Sequence, residues 1–146
     1  MENLTLLGER GGKLVISAHG YEREAALDPH DANWLRCSAE VERGAFRGAV
    51  DASFTTSDFS RFLSELDRIT APEPFVASFN TMEAALAFRV EVLRTGRANV
   101  TGKLRELGEL GADLSFAFES DRSFLVKTHS DLKRIVAAFP SRTLTT

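Results

Sequence analysis

Alternation of apolar and polar residues, with a period of two, constrains the fold of this chain more than any other feature. Every second residue is apolar in Trp34–Arg43, Leu86–Val92 and Ala98–Leu104. Shorter or less regular runs of the same character are Leu4–Leu7, Leu14–Ala18, Phe46–Phe54, Phe75–Phe79 and Leu114–Phe118. The pattern is typical of antiparallel strands with one buried face, and Gly-containing links such as Gly44–Ala45 predict hairpins.

Two segments show the period of an amphipathic helix instead. The first begins after Ser57, the expected N-cap, stops before Pro72, and carries the apolar stripe Phe59, Phe62, Leu63, Leu66 and Ile69. The second ends before Pro140 and carries the stripe Leu132, Ile135, Val136 and Phe139. Its start is open, because Ser130 followed by Asp131 has the character of an N-cap while the apolar phase extends back to Ser123.

These elements predict an α+β fold. We expect a mostly antiparallel, twisted sheet of about seven or eight strands with two helices packed on one face. The order of strands and helices hints at a duplicated β-β-α unit. Residues 1–146 are expected to form a single domain with a short polar C-terminal tail, residues 141–146, because no segment has the length and composition of a linker.

Composition and charge exclude several classes of protein. No apolar run is long enough for a membrane span, and the acidic start Met1–Leu4 argues against a signal peptide. Cys37 is the only cysteine, so no intramolecular disulfide forms and a cytoplasmic location is the simplest expectation. The formal net charge of −3 offers no general attraction to nucleic acid.

No catalytic template is found in the sequence. Walker and dinucleotide-binding loops and helical metal motifs are all missing, so we expect no catalytic residue, cofactor or metal. Cys37 lies on the apolar face of its strand and is expected to be a buried thiol. The adjacent triplet His129–Asp131 does not indicate a triad, because a working triad is assembled from separate chain segments.

Charged residues on the polar face of the strands are the best candidates for function. Their mixed signs suit a protein partner that is recognised by charge complementarity, although exposed charge is also the ordinary state of a solvated sheet face. Trp34 begins its strand on this face and belongs to a residue type that is enriched at interfaces. The candidate partner-binding residues are Trp34, Arg36, Glu40, Glu42, Arg47, Arg89, Glu91 and Lys103.

The assembled pattern resembles the WapI-type immunity proteins and related small bacterial domains of unknown function. The residues that carry the resemblance extend from Asp31 to Pro140 and include Asp31–Leu35, Gly44–Gly48, Asp58–Phe59, Leu86–Leu93, Phe118–Leu125 and Ala138–Pro140. The resemblance implies an α+β protein that binds and neutralises a cognate bacterial toxin by steric blockade. It carries over no catalytic residue and no defined contact residue.

Two alternatives to an immunity protein remain open at this stage. In the first, the chain is a self-associating domain that forms a homodimer through a strand edge or a sheet face. In the second and weaker one, it is a small-ligand or metal-dependent enzyme, built on the two histidines and several carboxylates of the loop from His19 to Asp31.

Overall fold

In a computed structural model of the chain, the described residues include eight antiparallel strands, which form two separate four-stranded sheets. The structure describes residues 1–23, 29–81 and 83–142, except the side chains of residues 29 and 30. The first sheet contains β1 (Glu2–Leu7), β2 (Lys13–Tyr21), β3 (Trp34–Arg43) and β4 (Phe46–Thr55) in sequential order. The second contains β5 (Phe75–Asn80), β6 (Leu86–Val92), β7 (Arg97–Arg105) and β8 (Asp113–Asp121), also in sequential order.

Each sheet is followed directly by a helix, so the chain consists of two β-β-β-β-α units. Helix α2 (Thr56–Leu66) follows β4 and continues into a 3₁₀ helix, Asp67–Thr70, while α3 (Arg122–Ala138) follows β8. A short helix, α1 (Pro29–Ala32), precedes β3. The last residue of each fourth strand also caps its helix. Thr55 forms a capping box with Asp58, and the Asp121 carboxylate accepts the N–H of Ser123.

The helix of each unit packs against the first strand of the other unit and hydrogen-bonds to the outer edge of that strand. Helix α3 packs along β1, where Asp131 Oδ2 accepts the Thr5 N–H at 3.1 Å and the Thr128 hydroxyl donates to the Thr5 carbonyl at 2.8 Å. Helix α2 packs along β5 in the same way, and Glu65 Oε1 accepts the Ser78 N–H at 3.4 Å. These contacts are reciprocal, so each half completes the hydrogen bonding of the other.

An aromatic cluster fills the space between α2 and the two sheets. The Phe54 ring of β4 lies 5.1 Å from the Phe79 ring of β5, and Phe62 of α2 lies 5.3 Å from Phe88 of β6. The edge-to-face geometry of both pairs adds about 1 kcal/mol each to the burial of their apolar surface. The buried residues of both sheets and both longer helices belong to one continuous core cluster.

The α+β class and the antiparallel strands are confirmed, and two differences have a clear physical cause. The strands divide into two sheets because β4 and β5 do not pair; α2 and the 3₁₀ helix separate them. The suspected duplicated β-β-α unit therefore has four strands in each copy rather than two. Alternation within a strand reports its buried face but does not report which strands pair.

The structure also fixes both helix starts, of which the first differs from the prediction and the second decides between the two predicted alternatives. Helix α2 is capped by Thr55, not by Ser57, because Thr55 is the last residue with extended backbone. Helix α3 begins at Arg122, close to the earlier of the two predicted starts, so Ser130 and Asp131 lie in its interior. Asp131 does accept a backbone N–H, but that N–H belongs to Thr5 of β1 and not to the first turn of α3.

The start of the polar tail packs against the domain. The guanidinium of Arg142 stacks on Tyr21, 3.7 Å from the ring centroid, and its Nε donates to the Ala32 carbonyl at 2.9 Å. Its backbone exchanges two hydrogen bonds with the Asn33 side chain, at 2.6 and 3.1 Å. Residues 143–146 lie outside the described part of the chain.

Asp131 should be the most sensitive polar residue of the fold. Its side chain is 2% exposed and accepts hydrogen bonds from Thr5, Lys127 and Arg134. We expect Asp131→Ala to lower the free energy of unfolding by about 3 kcal/mol, because it leaves the Thr5 N–H without an acceptor. Urea denaturation measures the loss. Lys127→Ala and Arg134→Ala are the controls, and each should cost less than about 1 kcal/mol because both side chains are largely exposed. Equal losses in all three would contradict this account.

Candidate protein-binding surface

The eight candidate partner-binding residues lie on the outer faces of both sheets. The inner faces meet at the core, where a Cβ added to Gly48 of β4 would stand 3.0 Å from the Leu104 side chain of β7. The candidates on the first sheet are Trp34, Arg36, Glu40, Glu42 and Arg47, and those on the second are Arg89, Glu91 and Lys103. The structure therefore divides the predicted surface into two groups.

Most of the charged candidates pair with one another. Arg47 bonds to Glu40 at 2.7 Å and lies 3.5 Å from Glu42, and the bond to Glu40 raises the pKa of the Arg47 guanidinium. Arg89 lies 3.6 Å from Glu91 on the same strand. Such exposed pairs contribute little to stability, so a partner can recruit them at low cost.

Two candidates have no charge partner among the described residues. These are Arg36 on β3 and Lys103 on β7, and both are exposed. Trp34 is half-buried at the start of β3, and its carbonyl accepts the N–H of Glu22. Arg36 is thus the first-sheet candidate whose charge is most available to another molecule.

Two open grooves cross the outer faces in equivalent places. The β4 groove, of about 550 Å³, is lined by His19, Arg36, Cys37, Asp51, Ala52, Ser53, Glu83 and Leu107. The β8 groove, of about 480 Å³, is lined by Arg10, Arg43, Glu91, Asn99, Val100, Thr101, Ala117, Phe118 and Glu119. Each groove has the third and fourth strands of one unit as its floor and turns from the other unit as one wall, so the pair follows the duplication of the fold.

The four edge strands differ in how their outward backbone groups are satisfied. The edge of β1 is closed by α3 and by the Ser120 hydroxyl, and that of β5 is bonded by Glu65. On β8, the carbonyls of Ala117 and Glu119 accept from Arg43 Nε at 3.0 Å and from the Glu9 N–H at 2.9 Å.

Strand β4 is the exception. The turn Gly44–Ala45 makes Arg43 and Phe46 a hydrogen-bonded pair, and such pairs then recur at every second residue. The residues between them turn their N–H and C=O groups away from β3; they are Arg47, Ala49, Asp51 and Ser53. None of these backbone groups has a hydrogen-bond partner within the described part of the chain.

This open edge was not identified from the sequence. The alternating pattern shows that β4 has an exposed face, but an edge strand and a central strand of an antiparallel sheet have the same pattern. The closed edges depend on residues far along the chain, such as Glu9 for β8 and Asp131 for β1. No local signal could have shown which edge lacks such a partner.

The histidine-containing loop does not form a catalytic cluster among the residues that can be described. His19 Nε2 lies 3.2 Å from the Ser38 hydroxyl, and Asp31 pairs with Arg23 at 3.6 Å. Glu22 accepts a hydrogen bond from Ser53. The other expected groups, residues 24–28 and the side chain of His30, lie outside the described residues. Within the described ranges, no group of three or more His, Cys, Asp or Glu residues could hold a metal ion.

The triplet at residues 129–131 is likewise divided between different partners. His129 Nε2 lies 2.6 Å from Asp67 Oδ1, whereas Asp131 points to β1 and Ser130 is exposed. Adjacent residues on a helix point about 100° apart, which explains why the three side chains do not converge.

The fold defines an α+β protein of two meander-helix units with charged outer faces and polar grooves. Comparison with protein families finds the model of the "Immunity protein WapI-like family", which matches residues 5–140. The chain belongs to this family. The searches of curated proteins and of solved structures find no match. No helix in the described ranges is both long and apolar enough to cross a membrane.

Cys37 borders the β4 groove but should not react there. The residue is 1% exposed, as predicted from its place on the apolar face, and burial raises the pKa of the thiol to about 12. Because only the thiolate is nucleophilic, we expect Ellman's reagent near pH 8 to label the native protein at least about 100-fold more slowly than the denatured protein. Complete labelling in guanidinium chloride is the control. Rapid labelling of the native protein would show that the reagent reaches the buried face of β3.

Proposed function

We propose that this chain is a bacterial immunity protein that acts as a single domain in the cytoplasm and neutralises a cognate toxin by binding it. Membership of the WapI-like immunity family is the observation that carries the proposal. The protein itself performs no chemistry in this proposal, and it needs no metal or cofactor.

The proposed mechanism is steric. A preformed surface of the immunity protein covers the active site of the toxin, so that substrate cannot enter. Rigid antiparallel sheets suit this role, because a surface that is ordered before binding loses little conformational entropy in the complex. The two closely packed units supply such a surface on each side of the molecule.

Charges on the outer faces would determine specificity and the rate of association. Paired groups such as Arg47 with Glu40 can exchange partners at low cost, while Arg36, which has no charge partner among the described residues, is directly available. Like charges brought together by a wrong toxin would disfavour binding. The eight candidates from the sequence therefore remain our proposal for residues that contact the partner.

Co-expression with a toxin tests this function. The toxin domain encoded beside the gene for this chain is placed under an inducible promoter, with and without the immunity protein. We expect the toxin alone to arrest growth and the pair to grow normally, because a stoichiometric complex removes free toxin. Size-exclusion chromatography of the purified proteins should then show a one-to-one complex.

A toxin domain of the same class from another locus is the matched control, and it should not be neutralised. The proposal would be contradicted if the neighbouring toxin still arrested growth and did not associate with the purified chain. Neutralisation of a catalytically intact toxin without complex formation would instead indicate that the chain acts on a product of the toxin.

A further inference from the structure

We propose that the open edge of β4 binds an extended, cationic segment of the toxin as an additional antiparallel strand. The inference rests on the proposed function and names the surface and the chemistry of recognition. Strand addition requires unpaired backbone groups in a row, space beside them, and side chains that select the incoming segment.

The backbone groups are present and point outward. Ala49 and Asp51 are both exposed, and their N–H and C=O groups have the two-residue spacing that a partner strand needs. The edge ends at Thr55, whose N–H is taken by Asp58 in the cap of α2. The available segment is therefore Arg47–Ser53, long enough for a short strand.

The second unit shows how this fold covers the equivalent edge. There, a backbone N–H from Glu9 and the guanidinium of Arg43 donate to two successive outward carbonyls of β8. Both donors come from the other unit of the molecule. The equivalent carbonyls on β4 belong to Asp51 and Ser53, and within the described chain neither receives such a donor. An incoming strand with an arginine would supply the same two kinds of donor.

Charge around the β4 groove favours a cationic segment. The Asp51 and Glu83 carboxylates line the groove and have no cation within ion-pair distance in the described chain, whereas Arg36 is the single arginine in the lining. Glu22 adds a further negative charge through its bond to Ser53. Leu107, about half exposed, offers an apolar wall for the methylene groups of an arginine or lysine side chain.

A proline substitution tests the edge without disturbing the sheet. Ala49→Pro removes an N–H that points away from β3 and places a ring where the partner strand would lie. The matched control is Ala117→Pro on β8, which alters the same kind of outward position on the edge that is already covered. Asp51→Lys is a second variant that keeps the backbone and reverses the charge. Circular dichroism and thermal unfolding establish that each variant is folded.

The measurement is calorimetric titration of each variant with the purified, catalytically inactive form of the neighbouring toxin domain. We expect Ala49→Pro and Asp51→Lys each to weaken binding at least about tenfold, and Ala117→Pro to change it by less than about twofold. If the wild-type chain binds the toxin and both β4 variants bind it with the same affinity, the inference is overturned and the proposed function stays intact. Failure of the wild-type chain to bind would instead overturn both.

Sedimentation equilibrium of the chain alone tests whether a second copy of the chain, and not a toxin, occupies the edge of β4. We expect a monomer. A dimer that Ala49→Pro dissociates would show that β4 pairs with a second copy, which would also overturn the inference.

Discussion

Every backbone N–H and C=O at a sheet edge needs a partner or access to water, and this requirement organises the whole molecule. Two four-stranded sheets have four edges, and three of them receive hydrogen bonds from residues outside their own sheet. The Asp131 carboxylate on β1 and the Arg43 guanidinium on β8 are the clearest examples. The helices thus contribute hydrogen bonds as well as apolar surface.

Reciprocity between the units follows from the same requirement. Helix α2 packs along β5 and α3 packs along β1, so neither unit can complete its hydrogen bonding alone. A carboxylate stands at the corresponding place in each helix, Glu65 and Asp131, and each accepts an N–H from the first strand of the other unit. The phenylalanine cluster at the junction adds apolar contacts to the same interface. We therefore expect the two halves to unfold together.

The two units differ in the side chains that line their equivalent grooves, and this difference bears on function. The family assignment points to a protein whose task is binding, and the two grooves are equivalent in position but not in content. In the β8 groove, Arg43 of the chain itself donates a hydrogen bond to the edge of β8. The other groove lies beside the edge of β4, whose outward backbone groups have no partner within the described residues, and its lining includes the Asp51 and Glu83 carboxylates. One of the two equivalent edges is thus bonded by the chain itself, and we propose that the other serves a partner.

The sequence determined the local structure of this protein well, because apolar periodicity depends only on near neighbours. It predicted about seven or eight antiparallel strands, the two longer helices, the buried thiol of Cys37, and the family. The charged candidates were also placed correctly on exposed faces, since alternation fixes which side of a strand points outward. What only the tertiary structure decided was the pairing of strands into two sheets, the role of Asp131, and the open edge of β4. The division into two sheets depends on the helices that separate β4 from β5. The other two features depend on which residues elsewhere in the fold reach a sheet edge, and no local pattern records such partners.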